Sequence, residues 1–313
     1  MSQKRVILAG GSGFIGQSLA RALQQRDYEV VIFTRSPRER ADGIRELAWD
    51  GVKPGPWVES LDGAEAVVNL AGQNINCPHT PENLVTLTAS RVNSVRAIAA
   101  ALPGLRQPPG VWVQASAVGF YGDTGDRLCL ETSPAGTGPL ADICRDWEEA
   151  LHAVPLPRPR TVLLRIGFVL GREGGALPVL SKITKLFLGG AAGSGKQYIS
   201  WIHITDVTRM LVAAIEQELS GIYNAVGPEP VTNAEFMRQL RQAWHRPWSP
   251  PAPAFAVRLG SRLMKSEASL ALMSCRCLPV RLEKQGFVFE FPRLEAALQD
   301  LCATAAPRAS TAG

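Results

Sequence analysis

The sequence predicts an α/β chain built on a doubly wound parallel sheet, with a small C-terminal substrate lobe. Three observations carry this. The apolar run Val6-Ile7-Leu8-Ala9 breaks into Gly10-Gly11-Ser12-Gly13 and resumes as Phe14-Ile15-Gly16 at helical spacing. Near-continuous apolar runs of strand length then alternate with amphipathic helical patterns. After Pro247 the alternation gives way to shorter segments. A chain of 313 residues, 46% hydrophobic, is long enough to bury one large core and carry a smaller one.

The first strand, turn and helix are the most informative stretch. Gly11, Gly13 and Gly16 satisfy G-x-G-x-x-G, and Gly10, Gly13 and Gly16 satisfy G-x-x-G-x-x-G. Glycines permit positive φ in the turn, let backbone approach a pyrophosphate, and let helix pack closely on strand, while free N–H groups at the helix start receive the phosphates. The motif follows a strand and opens a helix, the context it requires. Gly10, Gly13, Phe14, Ile15 and Gly16 are therefore the expected dinucleotide cradle. Ile15, Leu19, Ala22 and Leu23 mark the buried face of the helix, which is expected to end near Arg26-Asp27.

The second strand is Glu29 to Thr34. NAD-preferring folds place an Asp or Glu at its end to hold the ribose 2′-hydroxyl. Here Thr34-Arg35-Ser36 stands there, so no carboxylate repels a 2′-phosphate, and Arg35 offers a planar donor fork for one, with Arg38 as a second charge. The expected cofactor is NADP, held at this end by Thr34 and Arg35. Residues 37–63 read as irregular, with Trp49 and Trp57 covering the sheet edge. Further strands are expected at Glu65 to Leu70, Val111 to Ser116 and Thr161 to Ile166, with a long helix between the first two, stopped by Pro103-Gly104.

The net charge of +5 comes from basic residues scattered among acids, which excludes a nucleic-acid stripe. The six cysteines (77, 129, 144, 275, 277 and 302) form no C-x-x-C pair and show no metal-ligand spacing with the four histidines, so no metal is expected and a reducing cytoplasm suits the chain. Lys4-Arg5 before Val6 to Leu8 faintly mimics a signal peptide, but the apolar part is too short, and no apolar run is long enough for a membrane span. The expected partner is a small-molecule substrate, with neither nucleic acid nor membrane; monomer and homodimer remain open.

From Ser116 through Ala117-Val118-Gly119-Phe120-Tyr121-Gly122-Asp123 the sequence resembles the extended short-chain dehydrogenase/reductase superfamily. The glycine turn, Asn69 to Gly72, Ser116 to Asp123, Trp147-Glu148, Arg165 to Gly171, Trp201 to Asp206 and Gly286 to Phe289 together resemble its epimerase-family branch sometimes labelled cell-division-inhibitor-like, which carries a C-terminal domain of unknown function. The resemblance runs from about residue 4 to about residue 302. It implies that Asn69, Ala71 and Gly72 line the cofactor, that the turn after Arg165 approaches its nicotinamide end, and that the Ser116 hydroxyl bonds a substrate oxygen. For Arg165 an internal salt bridge is the competing reading. The resemblance also implies a Tyr-x-x-x-Lys pair one turn before Glu148, yet those places hold Leu140 and Cys144. A phenol's ordinary pKa near 10 has to be tuned before it trades protons, so three readings stay open. Tyr121 supplies the phenol beside Ser116, unless it is simply a packed aromatic; Cys144 is a functional thiol, unless it is a small buried hydrophobe; or the protein binds NADP and does no redox chemistry.

In the second half, Gly190 to Gln197 nearly spells a phosphate loop, but Gln197 lacks the metal-binding hydroxyl and the flanking order is reversed, so it reads as a loop over the substrate mouth. Thr205 or Asp206 is expected to cap the following helix, and His203 to be structural. A helix from Thr232 to Trp244 is broken by Pro247 to Pro253. Helices at Phe255 to Lys265 and Glu267 to Cys275 follow, then Phe287 to Phe291. The expected organisation is 1–245 for the Rossmann domain, with segments near 167–202 joining the substrate lobe, 246–302 for the lobe, and 303–313 for a disordered tail. The functional expectation is an NADP-dependent oxidoreductase or epimerase acting on a small polar substrate. Its alternative is a non-catalytic NADP(H)-binding regulatory or interaction protein, cell-division-related or redox-sensing.

Overall fold

The computed structural model describes residues 3–155, 159–263 and 266–303. Its first half runs β1 (Arg5–Ala9), α1 (Phe14–Gln24), β2 (Glu29–Thr34), β3 (Arg45–Ala48), β4 (Ala66–Asn69), α2 (Pro81–Ala101), β5 (Val111–Ala117), β6 (Leu128–Cys129), α3 (Pro139–His152) and β7 (Arg160–Ile166). The second half runs β8 (Phe168–Leu170), α4 (Leu177–Lys185), β9 (Tyr198–Ile199), β10 (Trp201–His203), α5 (Ile204–Glu216), β11 (Gly221–Ala225), β12 (Val231–Thr232), α6 (Asn233–Ala243), α7 (Ala254–Leu263), α8 (Ser269–Leu272), β13 (Arg276–Cys277), α9 (Val280–Lys284) and α10 (Leu294–Cys302).

Among the described residues the central sheet has seven strands in the order β11-β7-β5-β4-β1-β2-β3, and every pairing in it is parallel. This is the expected doubly wound Rossmann arrangement, whose chain order reverses between β1 and β4. Val6 to Ala9, Val31 to Phe33, Ala66 to Val68 and Val111 to Val113 are all buried, because helices cover both faces. Crevices of this kind hold ligands at the carboxyl ends of the strands.

Three local readings are corrected. The segment 37–63 contains β3 and a 3₁₀ turn at Pro56–Leu61; β3 is a short edge strand with a half-exposed RELA sequence, which period-2 patterning does not reveal. Trp49 and Trp57 pack on Phe33 with ring centroids 5.7 and 5.1 Å away, closing the face behind β2. The cap of α5 is neither Thr205 nor Asp206: His203 Nδ1 accepts the Thr205 N–H at 3.1 Å. Of the helix expected at 267–275 only Ser269–Leu272 forms, and Phe287 to Phe291 carries no regular element.

A second apolar core gathers Leu170, Leu177, Trp201, Phe236, Met237, Leu240, Leu298 and Leu301. It joins the chain after β7 to α6 and α10, and Leu282 and Phe287 pack with the main core. Of the readings at the end of the chain, residues 264–265 of the helix begun at 255 and residues 304–313 of the tail lie outside the described residues. No helix among the described residues is long and apolar enough to cross a membrane.

Candidate dinucleotide cleft

The glycine turn is shaped by contacts that leave no room for side chains. A methyl group at Gly16 would lie 2.5 Å from the Gly11 carbonyl oxygen, and one at Gly10 would lie 2.8 Å from the Ala71 Cα, where φ is already +74°. The turn after β4 is thereby pressed against the turn after β1, and the Gly10 N–H is fixed on the Phe33 carbonyl at 3.0 Å. At the start of α1 the N-cap is Gly13, which has no side chain to offer, and the first turn carries no acidic residue. The opening N–H groups of a helix have no intrahelical acceptor, so Phe14, Ile15 and Gly16 present donors and a positive dipole end where a pyrophosphate would sit. Phe14 itself packs under Gly171, Gly174 and Gly175, tying the cradle to the turn after β8. These features fit a dinucleotide.

At the end of β2, the Thr34 hydroxyl lies 3.4 Å from the Ser12 hydroxyl. Arg35 is exposed and, among the described residues, pairs with no carboxylate. Its neighbour Arg40 is different: it is tied to Asp42 at 2.5 Å and to Glu46 at 3.2 Å. Arg38 donates its backbone N–H to Glu46.

Asn69 serves the cleft from beneath. Its side chain is fully buried, donates to Ser94 and Gln114 at 3.0 Å each, and accepts the Ala71 N–H at 3.1 Å. It therefore holds the Ala71-Gly72 turn in place, while Ala71 and Gly72 form the surface.

The structure gathers Ser116, Tyr121 and Arg165, but around a residue that the sequence reading used only as a ruler. Glu148 on α3 is 3% exposed and accepts Arg165 Nε at 2.9 Å and Arg165 Nη2 at 2.7 Å, together with the Ser116 hydroxyl at 2.7 Å. Arg165 Nη1 donates to the Tyr121 hydroxyl at 2.9 Å, which itself lies 2.7 Å from Asn224 Oδ1. The guanidinium also stacks 3.5 Å over Phe120. Burial lowers the affinity of Arg165 for its proton, but the bonds and charge of Glu148 outweigh it and raise the pKa overall. Burial likewise pushes the Tyr121 phenol up, more than Arg165 draws it down. Ser116 and Tyr121 thus have their hydroxyls satisfied by protein groups in the interior, and the Arg165 guanidinium faces protein. Nothing local in the sequence joins residues 116, 121, 148, 165 and 224, since three sheet strands, one helix and the 3₁₀ turn at Val118–Tyr121 bring them together.

Leu140 and Cys144 occupy the places where the paired phenol and ammonium were sought. Both lie against Gly119, where a methyl group would meet the Cys144 Sγ and Leu140 Cβ at 3.5 Å each. Burial, with the nearby Glu148 charge, pushes the Cys144 thiol up to about 12, so it is neutral at pH 7. Sequence reasoning also passed over Arg91, one of two arginines in a helical pattern, whose guanidinium reaches the Ala71-Gly72 turn from α2. His203 stacks on Phe291 with centroids 3.9 Å apart and lies 3.4 Å from the Asp300 carboxylate. All six cysteines are free thiols, and no cluster among the described residues has the make-up of a metal site.

A parallel sheet of this order with a ligand-ready glycine turn defines a dinucleotide-binding α/β protein. Residues 6–144 match the NAD dependent epimerase/dehydratase family, and residues 252–301 match a domain of unknown function, DUF1731. An epimerase family protein of Mycobacterium leprae is 37% identical over 302 residues, covering 95% of each chain. The crystal structure of human epimerase family protein SDR39U1 (isoform 2) with NADPH superposes with a TM-score of 0.85 at 33% identity, covering 95% of this chain and 99% of that one. A nucleoside-diphosphate sugar epimerase from Corynebacterium glutamicum gives a TM-score of 0.77 at 32% identity, covering 96% of this chain and 58% of the other. The chain belongs to the NAD(P)-dependent epimerase family, in the branch that ends in this C-terminal domain.

Proposed function

We propose that this chain binds NADP(H) and acts as an oxidoreductase or epimerase on a small polar substrate, without the tyrosine–lysine pair. The observation that carries the cofactor choice is Arg35. It is an exposed cation that, among the described residues, has no carboxylate partner, at the strand end where a 2′-phosphate would lie and where NAD-preferring folds put an acid. The human relative solved with NADPH supports the same choice. Gly10, Gly13, Phe14, Ile15 and Gly16 would receive the pyrophosphate, Thr34 and Arg35 the 2′-phosphate, and Ala71 and Gly72 the face beyond. When bound, the nicotinamide supplies hydride transfer at its ring. Ser116, Tyr121, Glu148 and Arg165 hold the ends of β5, β7 and β11 together beneath it as positioning residues, and the apolar Leu140 and neutral Cys144 keep that wall free of charge.

The test is a fluorescence titration with NADPH and NADH, followed by hydride exchange from isotopically labelled NADPH into a panel of sugar nucleotides, ketones and aldehydes. Binding of NADPH well ahead of NADH, with label transfer to any member of the panel, is expected. Equal affinity for the two removes the NADP assignment.

One observation favours a second reading, a non-catalytic NADP(H)-dependent regulatory protein. The hydroxyls of Ser116 and Tyr121, the two proton donors expected here, are both engaged in the interior. That reading gains if NADPH binds and no label is transferred.

A further inference from the structure

The cations that read as scattered over the whole chain are concentrated in two stretches that the fold sets side by side. Residues 174–205 hold three lysines and residues 236–266 hold five arginines and one lysine, and neither stretch contains an Asp or Glu. The whole chain has 33 Lys and Arg against 28 Asp and Glu, so outside these stretches acids outnumber cations. Arg246 joins the two: its Nε donates to the Lys185 carbonyl at 3.1 Å, and its guanidinium lies 5.0 Å over the Phe187 ring. Farther along, the Ala252 N–H donates to the Ala191 carbonyl at 2.8 Å.

Large apolar side chains are left uncovered on the same stretches. Trp248, and Phe255, Leu259 and Leu263 on α7, are each between 59% and 80% exposed, and Leu186 to Leu188 are exposed as well. Positions four apart share a face of a helix, so Phe255, Leu259 and Leu263 form one stripe. Arg258 and Arg262 fall within that face, and both are exposed. The only buried residue of α7 is Ser261. The helix thus points its apolar stripe outward, the reverse of a surface helix that packs on its own core.

Charge selects what covers this face. A second copy laid on it would set Arg258 and Arg262 against their own counterparts, and the first acid beyond α7, Glu267, is already bound to the His79 and Ser269 N–H groups. A protein partner needs pockets matched to these separate side chains. A bilayer interface takes protruding apolar side chains of any outline, leaves guanidinium groups at headgroup level, and attracts cations when its lipids are anionic. We propose that the α7 face docks on an anionic membrane surface, with Trp248 and the stripe of Phe255, Leu259 and Leu263 at the headgroup–acyl boundary and Arg246, Arg258 and Arg262 on lipid phosphates. The expectation of no membrane partner rested on the lack of a spanning run, and docking of this kind needs none. It is independent of the cofactor reading.

Flotation is measured with vesicles of phosphatidylcholine alone and with vesicles containing about one-third phosphatidylglycerol, at about 50 mM and about 500 mM salt. The wild type is expected to float with the anionic vesicles at low salt, to stay down with phosphatidylcholine, and to lose roughly tenfold or more in affinity at high salt. Leu259→Asp with Leu263→Asp, and separately Arg258→Gln with Arg262→Gln, are each expected to weaken binding by roughly tenfold or more. The urea unfolding midpoint is expected to hold in both, because all four side chains are exposed. A wild type that leaves the anionic vesicles unbound overturns the proposal, and sedimentation velocity then reports whether a second copy covers the face instead. Equal binding to both vesicle types overturns it too, as does binding that either pair of changes leaves within about twofold of wild type.

Discussion

The glycine turn and the Glu148 cluster lie at the carboxyl ends of strands of one sheet, yet they treat polar groups in opposite ways. Around Gly10 to Gly16 the backbone is packed tightly while the N–H groups that open α1 are left without an intrahelical acceptor, and among the described residues Arg35 beside it pairs with no carboxylate. Around Glu148 both carboxylate oxygens accept hydrogen bonds, and the Ser116 and Tyr121 hydroxyls and the Arg165 guanidinium are all engaged. Open polar groups await a ligand, whereas closed networks hold a scaffold. Residue type does not separate the two, because serine, tyrosine and arginine are as much at home in a catalytic site as in a buried network; satisfaction of their hydrogen bonds does.

The contrast is most directly broken at Arg165. Arg165→Met would strand the Glu148 carboxylate in the interior and is expected to lower the unfolding free energy by about 3–5 kcal/mol in urea titrations. A variant as stable as wild type would show that the cluster does not hold the sheet. Arg35→Ala should do the reverse, leaving stability unchanged while weakening NADPH binding by about 1.5–3 kcal/mol and NADH not at all. Parallel loss of both cofactors would remove Arg35 from the 2′-phosphate. Ser116→Ala deletes one donor to Glu148 and should lower stability by about 1–2 kcal/mol with NADPH affinity intact; a loss of affinity without loss of stability would move Ser116 from scaffold to ligand site.

The smallest expected effect concerns His203, which caps α5 between the two cores. Burial lowers its pKa below 6.5, partly offset by Asp300 and Asp206. The unfolded chain then takes up the proton first as pH falls, so stability declines through the window just below 6.5 and levels off once the folded ring is protonated too. His203→Asn keeps a good N-cap and should flatten that part of the profile in unfolding measured between pH 8 and pH 5. An unchanged slope would assign it to other groups.

Much of the fold was legible because its signals are local. β2 at Glu29–Thr34 coincides with its predicted span, and Thr232 caps α6 by accepting the Glu235 N–H, since short side chains at helix starts act on neighbours in sequence. β3 was not legible: an edge strand of four half-exposed residues depends on pairing with β2 rather than on its own pattern. The site divided in the same way. The cradle glycines are dictated by contacts within one strand–turn–helix unit, apart from the touch between Gly10 and Ala71. The roles of Ser116, Tyr121 and Arg165 depend on Glu148 and Asn224, far away in the chain.

The sequence by itself determined the doubly wound parallel sheet, the glycine turn and the absence of a tyrosine–lysine pair at residues 140 and 144, because each is written in residue type and short-range spacing. Only the tertiary structure decided that Ser116, Tyr121 and Arg165 close on Glu148, that α6 and α10 share the second core, and that Arg91 reaches Gly72 from α2. Burial and the pairing of charges are settled by which strands and helices meet, and no stretch of sequence carries that alone.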